Sequence, residues 1–174
     1  MRFRTRAIHV GQQADPQTGA VVPPIHLAAT YIQPGVGQWG PYDYSRSGNP
    51  TRKAFETALA DLETGCGALA FSSGMAAIHA AMMLLEPGDH VLASWDLYGG
   101  TYRLLRRILS RGRIQASFAD SSDLNIFAKA VQPNTKLLWI ESPGNPLLSI
   151  TDIAGCAELA HRCGALLGVD STFA

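Results

Sequence analysis

The 174-residue chain sets 14 lysines and arginines against 14 aspartates and glutamates and is 47% hydrophobic, enough for one good core but without the excess charge of a polyanion-binding surface. Nucleic acid is therefore not an expected partner, no apolar run approaches a membrane span, and the basic start Met1-Arg2-Phe3-Arg4-Thr5-Arg6 has no apolar signal core behind it. The three cysteines, Cys66, Cys156 and Cys163, form neither a C-x-x-C pair nor an even disulfide framework; they read as core fillers in a reducing compartment, with the cytoplasm as the default.

Residues 1–49 are punctuated by glycine and proline and show little periodicity. A stretch of that length reads as an arm, functional in itself or wrapped on another subunit. It ends in Tyr44-Ser45-Arg46-Ser47-Gly48-Asn49-Pro50-Thr51, which joins an aromatic hydroxyl and a guanidinium to a helix start. Asn49 is a helix cap, Pro50 suits the first helical position, and Phe55, Leu59 and Leu62 follow at helical spacing. Arg46 can grip a phosphate or carboxylate through two parallel hydrogen bonds, with Tyr44 adding a third donor. The ordinary alternative is a solvated loop arginine.

From residue 50 onward helical and strand-like segments alternate. A short apolar run at residues 68–71 reads as a strand and leads through Ser72-Ser73-Gly74 into a helix with Met75, Ile78, Met82 and Leu85, stopped by Pro87-Gly88. A strand near residues 91–93 precedes a helix from about Thr101, with Leu104, Leu105, Ile108 and Leu109, that stops at Gly112. A strand at 114–118, a shorter helix with Leu124, Phe127 and Val131, and a fully apolar strand at 137–140 come next. Asp152 then caps a helix with Ile153, Cys156, Leu159 and Cys163 on one face, closed by Gly164, and 165–169 is the last strand. Such alternation with uninterrupted apolar strands predicts an α/β fold, a mostly parallel sheet covered by helices on both faces.

Ligands of open parallel sheets sit beyond the carboxyl ends of the strands. There the sequence places Ser72-Ser73-Gly74-Met75 at a helix start, Tyr98 in a Tyr-Gly-Gly loop, Glu141 to Pro146, and Asp170-Ser171-Thr172. Free N–H groups and the helix dipole favour an anion at the first of these. Each also has a plain reading: Ser-Ser-Gly as a cap, Tyr98 as a packing residue, Asp170 as a cap or a metal ligand. Together, a phosphate cradle, a stackable ring and a carboxylate suit a phosphorylated aromatic cofactor whose ring nitrogen stays protonated. Pyridoxal 5'-phosphate (PLP) meets that description without a metal.

Five ordered motifs, Tyr44 to Thr51, Phe71 to Met75, Asp96 to Tyr102, Glu141 to Pro146 and Val169 to Ala174, resemble those of the PLP-dependent Cys/Met metabolism enzymes. The resemblance implies fold type I. It implies that Gly74 and Met75 hold the cofactor phosphate through backbone N–H groups, while Tyr44 and Arg46, on the arm 1–49, reach the phosphate of a neighbouring subunit. It further implies that Tyr98 stacks on the ring and accepts protons, that Asn145 approaches the ring hydroxyl, that Asp170 pairs with the ring nitrogen, and that Thr172 lines the ring's other side. Ser171 and Gly144 depart from the family's usual asparagine and serine or threonine.

The family's Schiff-base lysine, in a Ser-x-Thr-Lys motif, has no match among Lys53, Lys129 and Lys136. The resemblance thus implies an N-terminal fragment: an arm, 1–49, and the first part of the large PLP-binding domain, 50–174, truncated before its completion and without a C-terminal domain. Such a piece is not expected to turn over alone. For the parent, the resemblance implies gamma-elimination or gamma-replacement on cystathionine or activated homoserine in sulfur amino-acid metabolism, and a homo-oligomer built as a dimer of dimers. Asp43 favours the cystathionine-handling gamma enzymes over O-acylhomoserine sulfhydrylase or methionine gamma-lyase, and the continuation Ser47-Gly48-Asn49-Pro50-Thr51 resembles the gamma-synthase and gamma-lyase pattern more than that of cystathionine beta-lyase. The competing readings are an aminotransferase, which would lack the Tyr44 to Thr51 octet, and a non-catalytic piece, for which an exposed sheet edge predicts poor solubility.

Overall fold

The basic start of the chain is helical in the computed structural model, which describes residues 1–174. Helix α1, Phe3–His9, has no counterpart in the sequence reading of the arm. One side chain explains its seating. Arg6 places Nε 2.6 Å from Asp61 Oδ2 and donates from Nη2 to the Asp61 carbonyl, fixing α1 against α2, Pro50–Leu62. At the head of α2 the Asn49 side chain accepts from Thr51 N–H at 2.9 Å and Arg52 N–H at 3.3 Å, with Pro50 in the first turn, as its chemistry requires.

These helices belong to the first of two compact units, Met1–Ser72 and Ser73–Ala174. Two expectations for the first unit fail. Residues 68–71 form no strand, because they have no ladder partner: Ala70 N–H donates to Glu56 Oε1 at 3.0 Å and Leu69 is exposed. Cys66 is exposed and not a core residue.

The second unit opens with α3, Gly74–Met82, capped by Ser73, and then builds a four-stranded sheet. Its strands are β1, His90–Ser94; β2, Gln115–Ala119; β3, Thr135–Glu141; and β4, Leu166–Asp170. All pairs are parallel, in the order β2-β1-β3-β4. The connections are helical. α4, Gly99–Arg103, begins two residues before the predicted start and runs on as a π turn, Leu104–Ile108, and a 3-10 turn, Leu109–Gly112. α5, Leu124–Lys129, and α6, Ile153–Cys163, begin behind Asp123 and Asp152, whose carboxylates accept backbone N–H groups.

Period-two alternation divides the core between the two faces of the sheet. Val91, Ala93, Leu137 and Trp139 join Met82 and Leu105 on one side. Leu92, Leu138 and Ile140 join Phe127, Cys156 and Leu159 on the other. Cys156 is thus the only cysteine in the core. Cys163, at the last position of α6 where Gly164 turns the chain with φ +66°, is exposed, and Ile153 at the other end is 44% exposed. The predicted apolar face of α6 is buried only at its middle.

His90 is the one imidazole sealed in this core, its ring atoms 2.8 Å from Thr135 Oγ1 and 2.9 Å from Ser117 Oγ. Burial pushes its pKa below the ordinary 6.5. The native state therefore holds the neutral ring while the unfolded chain takes up the proton first as pH falls. This stabilisation is complete above 6.5 and declines through the window beneath it. Urea midpoints from pH 7.5 to about 5.5 should fall more steeply for wild type than for His90→Leu; equal slopes would contradict the sealed ring.

Candidate functional site

Strand β1 leads outward to β2, and the chain then returns to place β3 on β1's other side. The loops after β1 and β3 consequently diverge, which is where a doubly wound sheet opens a crevice. The crevice is present. A cavity of ≈ 370 Å³ is lined by Gly74, Met75, Tyr98, Asn145, Asp170 and Thr172, six of the residues singled out in the sequence. A second cavity, of ≈ 380 Å³ over Trp139 and Leu166, gathers none of them.

The floor of the first cavity is the start of α3. Ser73 Oγ accepts from Ala76 N–H at 3.2 Å, and Ser73 O accepts from Ala76 and Ala77 N–H at 3.1 Å. The N–H groups of Gly74 and Met75 have no protein acceptor. A Cβ built on Gly74 meets nothing within 4 Å, so the space above these donors is open. Two free N–H groups at the positive end of a nine-residue helix form an anion cradle.

Tyr98 stands immediately before α4 and is 44% exposed. Gly100 shapes its position, since a Cβ there would run into the Tyr98 ring and the Met75 sulfur. Gly100→Ala should therefore displace the ring at little cost in folding, because the clash is with movable side chains. The expected result is at least about tenfold weaker binding of an aromatic ligand with a melting temperature within a few degrees of wild type. Isothermal titration and calorimetry measure the two.

Asp170 is half-buried at the end of β4. Its Oδ1 accepts from Thr172 N–H at 3.1 Å and Thr172 Oγ1 at 2.5 Å, which fixes the carboxylate and leaves Oδ2 without a protein donor. Thr172 thus orients the acid as well as lining the cavity. Ser171, exposed beside it, makes no side-chain hydrogen bond that replaces the family's asparagine. Asn145 sits on the loop after β3. In that loop Gly144 has a local reason: a Cβ there would collide with Asp96 Oδ2 and come within 2.6 Å of Ser149 Oγ.

Ser73, Ile78, Glu141 and Phe173 complete the wall and were not among the predicted site residues. Glu141 was findable, as the lone acid closing a wholly apolar strand and the register partner of Asp170 on β4. Burial pushes its carboxyl above the usual range, the Tyr98 N–H at 2.7 Å pulls the other way, and the nearby Asp170 and Asp96 charges push it up further.

Asp43, Tyr44 and Arg46 lie in the first unit. Arg46 Nη2 donates to Tyr44 Oη at 3.2 Å, and its guanidinium stands 5.3 Å from the centre of the Tyr44 ring. Arg46 has no carboxylate partner, and Asp43 is exposed. Backbone pairing of Tyr31 N–H with Asp43 O at 3.0 Å and of Ser45 N–H with Ala29 O at 2.8 Å fixes the segment that presents them. Arg52 braces the same turn by donating to Ser45 O and Ser47 O.

Known proteins resemble this chain over nearly its whole length. It is 50% identical over 173 residues to cystathionine gamma-lyase of Bacillus subtilis, covering 99% of this chain and 46% of that protein. It is 49% identical over 171 residues to cystathionine beta-lyase of Coxiella burnetii, covering 98% and 44%. A crystal structure of cystathionine gamma-lyase from Lactobacillus plantarum complexed with L-serine superposes with a TM-score of 0.94 at 44% identity, over 100% of this chain and 45% of that one. The chain thus spans less than half the length of these relatives. The model of the Cys/Met metabolism PLP-dependent enzymes matches residues 4–174, and the chain belongs to that family.

Proposed function

We propose that the Ser73–Ala174 unit holds PLP and that the whole protein acts on cystathionine or an activated homoserine by gamma-elimination or gamma-replacement. The observation that carries this reading is the convergence of an open anion cradle, an aromatic ring and an oriented carboxylate on one cavity. The residues fit the cofactor: Gly74 and Met75 offer two unengaged N–H donors for a phosphate, and Asp170 keeps one oxygen free for a protonated ring nitrogen. Bound PLP supplies an electron-withdrawing ring that stabilises negative charge on the α-carbon of a joined amino acid.

The remaining work falls to this chain's own groups. Asp170 holds the positive charge on the ring nitrogen, and Thr172 keeps the acid aimed. Tyr98 covers a ring face and moves protons through its phenol oxygen, with Asn145 at the ring hydroxyl. Tyr44 and Arg46 form a preassembled pair for the phosphate in a neighbouring subunit, within a homo-oligomer, and Asp43 faces the distal ammonium of cystathionine. Asp43 is the reason for preferring cystathionine over the substrates of the sulfhydrylases and methionine lyases, and Ser47-Gly48-Asn49-Pro50-Thr51 the reason for preferring gamma over beta chemistry. The arm 1–49 and the domain portion 50–174 are assigned these separate roles.

No lysine lines the cavity. Lys53 is in the first unit, Lys129 ends α5, and Lys136 sits near the start of β3, away from its carboxyl end. Mixed with PLP, residues 1–174 should show a saturable absorbance change, and borohydride should trap no single-site lysine adduct. A stoichiometric adduct at one lysine, found by peptide mass spectrometry, would overturn the proposed non-covalent binding; no saturable change at all would overturn the cofactor assignment.

A further inference from the structure

Two buried carboxylates tie the loops after β1 and β3 to each other in both directions. Asp96, on the loop leaving β1 and 4% exposed, takes its donors from the loop leaving β3. They are Leu147 N–H at 3.1 Å, Ser149 N–H at 3.3 Å and the Ser149 hydroxyl at 2.5 Å. Glu141, the last residue of β3 and 3% exposed, accepts from Tyr98 N–H at 2.7 Å on the loop leaving β1. Its own N–H donates to Ser94 Oγ, at the end of β1, at 3.2 Å. Each loop supplies an acid to the other and donors in return.

Neither acid has a cationic partner, so N–H and O–H donors alone compensate their burial. The loop after β3 is also closed on itself: Gly144 N–H meets Ser149 O at 2.9 Å and Leu148 N–H meets Gly144 O at 3.1 Å. Its shape is therefore set internally, and the bonds to Asp96 set where that shape sits. The two loops carry Tyr98 and Asn145, on the strands between which the sheet reverses and its loops diverge.

We propose that Asp96 and Glu141 act as one reciprocal brace across this crevice, fixing the spacing of Tyr98 and Asn145 so that a flat ring enters a preformed slot. The proposal deepens the cofactor reading and rests on it for the identity of the ring. Both acids are positioning residues in this brace: Asp96 lies outside the cavity wall and acts through the loop that carries Asn145, and Glu141, which is part of that wall, acts through the Tyr98 N–H it holds. A rigid slot raises affinity by removing the cost of ordering the loops on binding.

Amide hydrogen exchange in the chain without ligand tests the brace directly. Asp96→Ala should speed exchange at Tyr98, whose N–H it does not touch, and Glu141→Ala should do the same at Leu147 and Ser149, each by about tenfold. Glu141→Gln keeps an acceptor oxygen and should restore slow exchange. Ser149→Ala removes one donor only and, should Asp96→Ala fail to fold, still has to speed exchange at Tyr98. Acceleration confined to each variant's own donors would overturn the brace.

Titration separates slot from cradle. Each alanine variant should weaken PLP by about tenfold, the double variant no more than the worse single one, and inorganic phosphate should bind as in wild type. Equal losses for both ligands, or single losses that multiply, would overturn the proposal. Remote coupling of exchange in a chain that does not bind PLP would uphold the brace and remove the cofactor reading. PLP binding without that coupling would do the reverse.

Discussion

Replacing Asp170 by alanine or asparagine is expected to lower kcat of the active enzyme by about 10²- to 10³-fold, the range for losing a charge preorganised against a charge that matters in the transition state. Asparagine is the sharper variant, because its side-chain oxygen can still accept from Thr172, as Asp170 Oδ1 does at 3.1 Å and 2.5 Å, while the negative charge is gone. If shape were the contribution, asparagine would restore activity. If charge is, both variants fail alike. Asp43→Ala should instead raise KM for cystathionine and leave kcat close to wild type, since in the proposed role this exposed acid would hold the substrate's far end in ground and transition states alike. Steady-state kinetics on both variants distinguishes these outcomes, and unchanged cystathionine kinetics for the Asp43 variant would remove the reason for preferring the cystathionine-handling enzymes over the sulfhydrylases and methionine lyases.

Phe127→Ala should be the most damaging change to stability, costing about 3–5 kcal/mol, which is a large share of the 5–15 kcal/mol that holds a domain folded. Phe127 is fully buried among Leu92, Leu138, Ile140 and Leu159, on the face of the sheet covered by α5 and α6. The void is not readily filled, because Leu92, Leu138 and Ile140 sit on strands held on both sides by parallel ladders and Leu159 is buried on α6. A melting temperature lowered by more than about 10 °C is expected by calorimetry. A drop of only a degree or two would mean that the helical layer is looser than its burial indicates.

Much of this molecule was legible along the chain because the signals are local. Asn49-Pro50 and Asp152 satisfy the orphan N–H groups of the turns that follow them, and Gly164 ends α6 with a left-handed turn. The apolar runs at 91–93 and 137–140 can be stable only with both faces covered, and they became the two central strands. The site residues at strand ends were equally readable, since a parallel sheet delivers every strand's carboxyl end to one edge. That edge brings Tyr98, Asn145, Asp170 and Thr172 to one cavity, which Gly74 and Met75 join from the start of α3 with no strand before them.

Other features depended on partners distant in the chain. The apolar run at 68–71 has strand composition, but a strand exists only through its ladder, and no partner is there. Cys163 follows the helical spacing of Cys156 yet is exposed, because burial depends on what covers a helix end. Helix α1 is set by Arg6 reaching Asp61, a contact across 55 residues.

The amino-acid order by itself determined the α/β alternation, the capped starts of α2 and α6 and the chemical inventory of the site, because caps, periods and motifs act over a few residues. Only the tertiary structure decided that Asp96 and Glu141 each accept hydrogen bonds from the opposite loop and that Thr172 aims Asp170. Those arrangements depend on which strands become neighbours, and strand order is a property of the assembled sheet.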